Sequence, residues 1–180
     1  MLNITTFLDA NACRLDKSVF YCPERDVSYT SKDILSISSE IARQIQSLGV
    51  EMGDRVMLYM NSTPEYLFSY FAVWRLGAVA IPTNRVYTPS ELSYMVENSG
   101  AKVIITDAEG ALASDGLGIS VYVPKDVETF RTADVMPPAK TDFNDLCQLQ
   151  YTSGTTGKPK GAMLTETNVL TNVSDIALYF

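Results

Sequence analysis

Histidine is absent from this 180-residue sequence. That excludes Ser-His-Asp and Cys-His nucleophile systems, and histidine-ligated zinc, within the chain. Cysteine is scarce: Cys13, Cys22 and Cys147 form no paired spacing. An odd, scattered set reads as reduced thiols of a cytosolic protein. Basic residues are outnumbered, 14 against 21 acidic, for a net charge of −7. With no basic run, the chain is a poor candidate for nonspecific binding to nucleic acid or anionic membrane. Long apolar runs are missing as well. The longest uncharged stretch, residues 146–157, is 12 residues, whereas a membrane-spanning helix needs about 20. The opening MLNITTFLDA has neither a basic n-region nor an apolar h-region, so no signal peptide is expected and the location is expected to be cytoplasmic. What is present is ordinary globular composition, 46% hydrophobic and 19% charged. A compact chain of this size buries roughly 70% of its unfolded surface, enough for one domain, or one and part of a second.

The hydrophobic pattern alternates between strand and helix. Thr30 to Asp33 reads as a capping box, ahead of an apolar stripe at Ile34, Ile37, Ile41, Ile45 and Leu48 with helical spacing. Gly49 stands where that helix ends. Residues 55–60 (RVMLYM) read as a strand, and Thr63-Pro64 as a helix start with proline at the first position. Tyr66, Leu67, Tyr70, Phe71 and Trp74 line that helix and Gly77 closes it. A buried strand follows at 78–82, a second capping box at Thr88 to Glu91, and a strand at 102–107. Residues 108–118 read as loop, 119–123 as a short strand and 132–142, with its Pro137-Pro138, as a connector. A last strand is expected at 146–151 and a helix at 168–179. Strands separated by helices of this length predict an α/β fold, layered, with a largely parallel sheet flanked by helices. Ligands of such sheets sit at the carboxyl ends of strands.

The segment after that last strand is YTSGTTGKPKG, residues 151–161. It gathers four hydroxyls (Thr152, Ser153, Thr155, Thr156), three glycines (Gly154, Gly157, Gly161) and two lysines (Lys158, Lys160). Glycines let backbone N–H groups turn toward an anion. Hydroxyls donate to phosphoryl oxygens and lysines neutralise them. It is not a Walker A loop: only Thr155 and Thr156 lie between Gly154 and Gly157, and Pro159 follows Lys158. A flexible Ser/Thr/Gly linker is the bland alternative. Against it stand the apolar strand leading in and the lysines beside the hydroxyls, which leave linker and phosphate loop evenly matched on composition.

The run TSGTTGKPKG resembles the phosphate-loop signature of the AMP-forming adenylating superfamily: acyl-CoA synthetases, adenylation domains of peptide synthetases and luciferase-like enzymes. Residues 48–84 resemble the first core region of that superfamily and 87–106 the segment after it. The likeness runs from about Val19 to the end of the chain. The resemblance implies that residues 1–180 are the N-terminal part of the large AMP-binding domain of an acyl-CoA synthetase-like enzyme. It implies two-step chemistry, in which a carboxylic acid is activated by ATP as an acyl-adenylate and passed to CoA. By resemblance, Thr152, Ser153, Gly154, Thr155, Thr156, Gly157 and Lys160 hold the phosphates of ATP and later pyrophosphate. Mg2+ is expected to arrive with ATP, with Thr156 as its contact. Lys158, at a variable position of the motif, is expected to face solvent. GAVAIPTN, residues 77–84, looks more like acyl-CoA synthetases than peptide-synthetase domains, which favours a fatty or aromatic acid and CoA. An acyl-AMP ligase loading a carrier protein and a stand-alone, non-catalytic nucleotide- or pyrophosphate-binding module are the alternatives. The catalytic residues of the superfamily are expected downstream of Phe180, so the chain is expected to be inactive alone. Exposed edges then predict marginal stability or self-association.

One departure stands out. Thr165-Glu166-Thr167-Asn168 occupies the place where the superfamily commonly has T-H-R-N. Glu166 either replaces a structural histidine harmlessly, which we favour, or alters the potential near the phosphates. Trp74, Phe71, Tyr70 and Phe68 read as core residues, Asp54, Arg55 and Glu65 as surface or edge charges, and Cys147 as a small core residue. Asp107, Asp115 and Asp126 show no ligand-like spacing.

Overall fold

The computed structural model describes residues 4–12, 17–152 and 158–179. Its main sheet is built from β3 (Arg55–Tyr59), β4 (Val79–Pro82), β5 (Val103–Thr106), β6 (Ser120–Tyr122), β7 (Leu146–Thr152) and β8 (Lys160–Thr165). Their order is β6-β5-β3-β4-β7-β8. All neighbours run parallel except β7 and β8, which are antiparallel. A separate antiparallel hairpin joins β1 (Ser18–Cys22) to β2 (Val27–Thr30). The α/β reading with a largely parallel sheet is therefore the architecture of the chain.

The helices form where their local signals lie. In α2 (Ser31–Ser47), the Thr30 side chain accepts from the Asp33 N–H while the Asp33 carboxylate accepts from the Thr30 N–H. Thr88 and Glu91 do the same for α4 (Pro89–Ser99). Each such cap contributes about 1 kcal/mol. Pro64 opens α3 (Pro64–Arg75). Gly49, Gly77 and Gly100 follow helices with φ of +89°, +67° and +64°, a left-handed turn that other residues adopt only under strain.

Side chains of β3 and β5 alternate between two apolar cores. On one face Val56, Leu58, Val103 and Ile105 meet α2 and α3, through Ile37, Ile41, Ile45, Phe68 and Ala72. On the other, Met57, Ile81 and Ile104 meet Leu92 and Met95 of α4, together with Leu149 and Tyr151 of β7. Burial on both faces is the reason these strands are continuous apolar runs.

Arg75, wholly buried at the end of α3, anchors the amino-terminal helix α1 (Thr5–Ala12). Its guanidinium donates to both carboxylate oxygens of Asp9, at 3.2 and 2.6 Å, and to the Met136 carbonyl at 2.5 Å. One side chain thus fastens α1 and the irregular segment before β7 to the core.

Four elements differ from the sequence expectation. Residues 108–118 contain a helix, α5 (Ala108–Ala113), which Asp107 caps by accepting from the Gly110 N–H at 2.7 Å. A 3-10 helix spans Val127–Thr132. The strand ending at Thr152 is not the last one: β8 follows it, and α6 (Glu166–Tyr179) begins two residues earlier than the periodicity suggests. Thr132 is the last residue of the 3-10 helix, so the irregular connector begins at Ala133.

Candidate functional site

The sheet switches direction once, between β7 and β8, and the conspicuous loop joins those two strands. Thr152 pairs with Lys160 at the loop end of the hairpin, and Leu146 with Thr165 at the open end. The loop is therefore carried at the carboxyl end of β7, the end at which ligands meet a parallel sheet. Pro159, lacking an N–H, precedes an edge strand rather than a helix, which fits the departure from Walker geometry noted in the sequence.

Of the residues expected to hold phosphate, Thr152 and Lys160 are both exposed and face each other across the hairpin. The Thr152 hydroxyl lies 3.5 Å from the Lys160 carbonyl. No ion pair to Lys160 occurs among the described residues. Ser153, Gly154, Thr155, Thr156 and Gly157 lie outside the described residues. Lys158 is exposed, as anticipated, with its ammonium 5.0 Å from the Tyr94 ring centroid. Gly161 serves packing: a Cβ there would come within 3.1 Å of Leu149 and 3.3 Å of Tyr151. Tyr151 in turn donates to the Asn98 side-chain carbonyl at 2.6 Å, tying β7 to α4.

Beside the hairpin, the carboxyl ends of β3, β4 and β7 enclose a cleft of about 400 Å³. Its walls include Asn61, Ser62 and Tyr66 from the start of α3, Asn84 and Arg85 after β4, and Gln150 of β7. Arg85 is held by its neighbours: it lies 3.2 Å from Glu109, 3.7 Å from Asp107 and 4.6 Å above the Tyr59 ring. Periodicity gave no sign of this cleft, since its walls come from three segments joined only by the sheet order.

Glu166 resolves on the structural side. It opens α6 directly after Thr165, six residues along the hairpin from Lys160. At about 3.4 Å per residue that is roughly 20 Å from the loop. Its side chain is buried. One carboxylate oxygen accepts from the Thr141 hydroxyl at 2.6 Å, and the other has no hydrogen-bond partner among the described residues. Burial pushes this carboxyl above the ordinary glutamate range, and nearby Asp145 and Asp142 add to the rise. Burial, with Glu166 adding its charge, pushes the Cys147 thiol up to about 12. Cys147 is an inert core residue, as its position on the strand suggested.

The aromatic residues of α3 are core residues too. Phe68 is fully buried. Trp74 donates to the Cys147 carbonyl at 2.9 Å and Tyr70 to the Gln148 side chain at 2.7 Å. The charges divide between edge contacts: Asp54 pairs with Lys102 at 2.7 Å, and Glu65 with both guanidinium nitrogens of Arg25. Among the described residues no cluster of three or more acidic or cysteine side chains is placed to hold a metal ion. Among the described residues no helix is long and apolar enough to cross a membrane.

Fold and site together define a class: an α/β protein whose mostly parallel sheet ends in a hairpin, its two strands joined by a Ser/Thr/Gly/Lys-rich segment, with a polar cleft beside β7. More narrowly, the chain belongs to the family of AMP-binding enzymes, whose profile matches residues 7–180. It is 35% identical over 167 residues to 4-coumarate–CoA ligase 3 of Oryza sativa subsp. japonica, covering 82% of this chain and 29% of that protein. It is 31% identical over 158 residues to the long-chain-fatty-acid–CoA ligase FadD13 of Mycobacterium tuberculosis (strain ATCC 25618 / H37Rv), covering 82% of this chain and 31% of that protein. Among solved structures, the inhibitor-bound N-terminal domain of FACL13 from Mycobacterium tuberculosis superposes with a TM-score of 0.80 at 31% identity, over 92% of this chain and 45% of that one. The chain thus spans about 30% of the length of the curated relatives it matches, and it corresponds to their N-terminal portion.

Proposed function

We propose that this protein is an ATP-dependent acid–CoA ligase that activates a fatty or aromatic carboxylic acid as its acyl-adenylate and transfers the acyl group to CoA. The observation that carries the reading is the hairpin: in-register pairing of Thr152 with Lys160 holds both ends of the TSGTTGKPKG loop at the carboxyl end of β7, beside a cleft. The identity to ligases for 4-coumarate and for long-chain fatty acids supports CoA as the acceptor.

In the first step a carboxylate oxygen attacks the α-phosphorus of ATP and the bond to the bridging oxygen breaks, releasing pyrophosphate. In the second, the CoA sulfur attacks the acyl carbon and AMP leaves. The attacking carboxylate comes from the substrate, so no histidine base is needed. The chain contributes positioning and charge stabilisation. Lys160 supplies a cation for the phosphates. Thr152, Ser153, Thr155 and Thr156 supply hydroxyl donors, and Gly154 and Gly157 allow backbone N–H groups to approach. Mg2+ would arrive with the nucleotide and neutralise phosphate charge, and Thr156 is the residue of this chain whose hydroxyl would be available to it.

The test uses the protein expressed from its complete reading frame, incubated with ATP, CoA and a panel of carboxylic acids. Equal amounts of AMP, pyrophosphate and acyl-CoA are expected. AMP release without a CoA thioester, with acyl transfer to a carrier protein instead, would overturn it.

A further inference from the structure

We infer that Tyr94 and Asn98 of α4 are positioning residues that fasten the two legs of the phosphate loop to that helix. This rests on the phosphate-binding reading above and deepens it. The two residues stand four apart within α4 (Pro89–Ser99), which makes them neighbours on one helix face. Each holds a different leg. On the incoming leg, β7, the Tyr151 hydroxyl donates to the Asn98 side-chain carbonyl at 2.6 Å. On the outgoing leg, the Lys158 ammonium lies 5.0 Å from the Tyr94 ring centroid, within cation–π reach. The pairing of β7 with β8 begins at Thr152 and Lys160. Lys158 lies beyond that pair, so its contact with Tyr94 holds a stretch of chain that the strand ladder does not.

The surroundings suit a lysine that holds the leg rather than the ligand. A recess of about 430 Å³ separates α4 from the outgoing leg, and Glu91, Glu97 and Tyr94 line it together with Lys158 and Pro159. Two carboxylates attract an ammonium there and repel a phosphate. Pro159 comes next in the chain, and its ring fixes φ near −65°. The position of Lys158 is therefore passed to Lys160 with little slack. Two legs fastened to one helix give the loop a preset frame. A site already ordered loses less entropy when its ligand arrives. Freeing one leg lowers the fraction of molecules ready to bind, and the apparent affinity falls by the same factor. Tyr94 and Asn98 act through Lys158 and Tyr151 and never touch the phosphates.

The experiment is a double-mutant cycle on the protein from its complete reading frame. Pyrophosphate and Mg2+-ATP binding are read by calorimetric titration, with thermal melts and CoA-thioester formation in parallel. Lys158→Met and Tyr94→Leu should each weaken pyrophosphate binding about threefold, the worth of an exposed cation–π contact. The double variant should bind no more weakly than either single one, because both remove the same contact. Tyr94→Phe keeps the ring face and should bind like the parent. Asn98→Ala should weaken binding about fivefold, the worth of one hydrogen bond. In the thioester assay the KM for ATP should rise by these factors, while kcat and the KM for CoA hold. Losses that multiply in the double variant would mean that Lys158 acts on the ligand directly, and would overturn the inference. So would unchanged affinity in both single variants, or losses matched by lower melting temperatures. Should Tyr94→Leu not fold, Asn98→Ala with Tyr151→Phe makes the same cycle on the other leg. Coupled losses in pyrophosphate binding without any thioester would refute the ligase reading and leave the fastening intact; thioester formation with uncoupled variants would do the reverse.

Discussion

The central strands β3, β4 and β5 and the terminal unit of β8 and α6 occupy one sheet, yet they are built on opposite terms. Val56, Met57, Leu58, Ile81 and Ile104 are fully buried, covered by α2 and α3 on one side and α4 on the other. Beyond β7 the covering thins. Met163 is 73% exposed, Ile176 53% and Leu178 83%, and β8 is an open sheet edge. The first region holds the domain together. The second carries the loop and contributes little packing within these 180 residues. Stability and function are therefore separable by mutation, and each substitution below tests that division.

Phe68→Ala should have the largest effect. Phe68 is fully buried and meets Tyr29 edge-on at 5.0 Å, and emptying such a site costs about 3–5 kcal/mol. Chemical denaturation should show that loss, a large part of the total of roughly 5–15 kcal/mol expected for a domain. A loss below 1 kcal/mol would mean that the central core is loose. Lys160→Ala belongs to the other region. It should weaken ATP and pyrophosphate binding about 10- to 100-fold, the worth of a charge-assisted hydrogen bond, with an unchanged melting temperature.

Glu166→Gln probes the far end of the hairpin, with a sign set by burial. The folded chain holds the Glu166 proton to higher pH than the unfolded chain does. Stability contributed by this group is intact below the ordinary glutamate value of 4.5 and is lost as pH rises through the elevated folded value. The variant should therefore be more stable than the parent at pH 7, and denaturation curves from pH 4 to pH 8 should lose part of their decline. It should also lower the Cys147 pKa, seen as faster reaction with a thiol reagent at pH 9. Phosphate binding should not change, given the distance from the loop. Smallest of all, Met163→Lys and Leu178→Ser should shift stability by less than about 0.5 kcal/mol. A loss of several kcal/mol would show that this face is covered.

How much of this was legible in sequence followed the same division. The helices α2, α3 and α4 announced themselves because their start signals are local: Thr30 with Asp33 and Thr88 with Glu91 cap α2 and α4 within one turn, and Pro64 opens α3. The central strands were equally plain, since burial on both faces writes an unbroken apolar run. The β8 strand was not. Its first four residues, Lys160 to Met163, are exposed on an open edge, so no apolar alternation marked them, and pairing with β7 is a nonlocal fact. The α5 helix hid in a run of small residues whose one signal was the Asp107 cap. The loop was legible as chemistry through its hydroxyls, glycines and lysines. The cleft beside it was not, because Asn61, Asn84 and Gln150 meet only through the sheet order β3-β4-β7. Glu166 could be noticed in the sequence but not placed until the hairpin register set it near Thr141.

The most direct measurement is a calorimetric titration of pyrophosphate and Mg2+-ATP into the protein and into Lys160→Ala, alongside thermal melts of both. The account predicts saturable binding by the parent, a loss of at least tenfold in the variant and superimposable melts. Equal affinity in the two proteins, or a loss matched by a lower melting temperature, would contradict the claim that the β7–β8 hairpin is a phosphate-binding device set apart from the core.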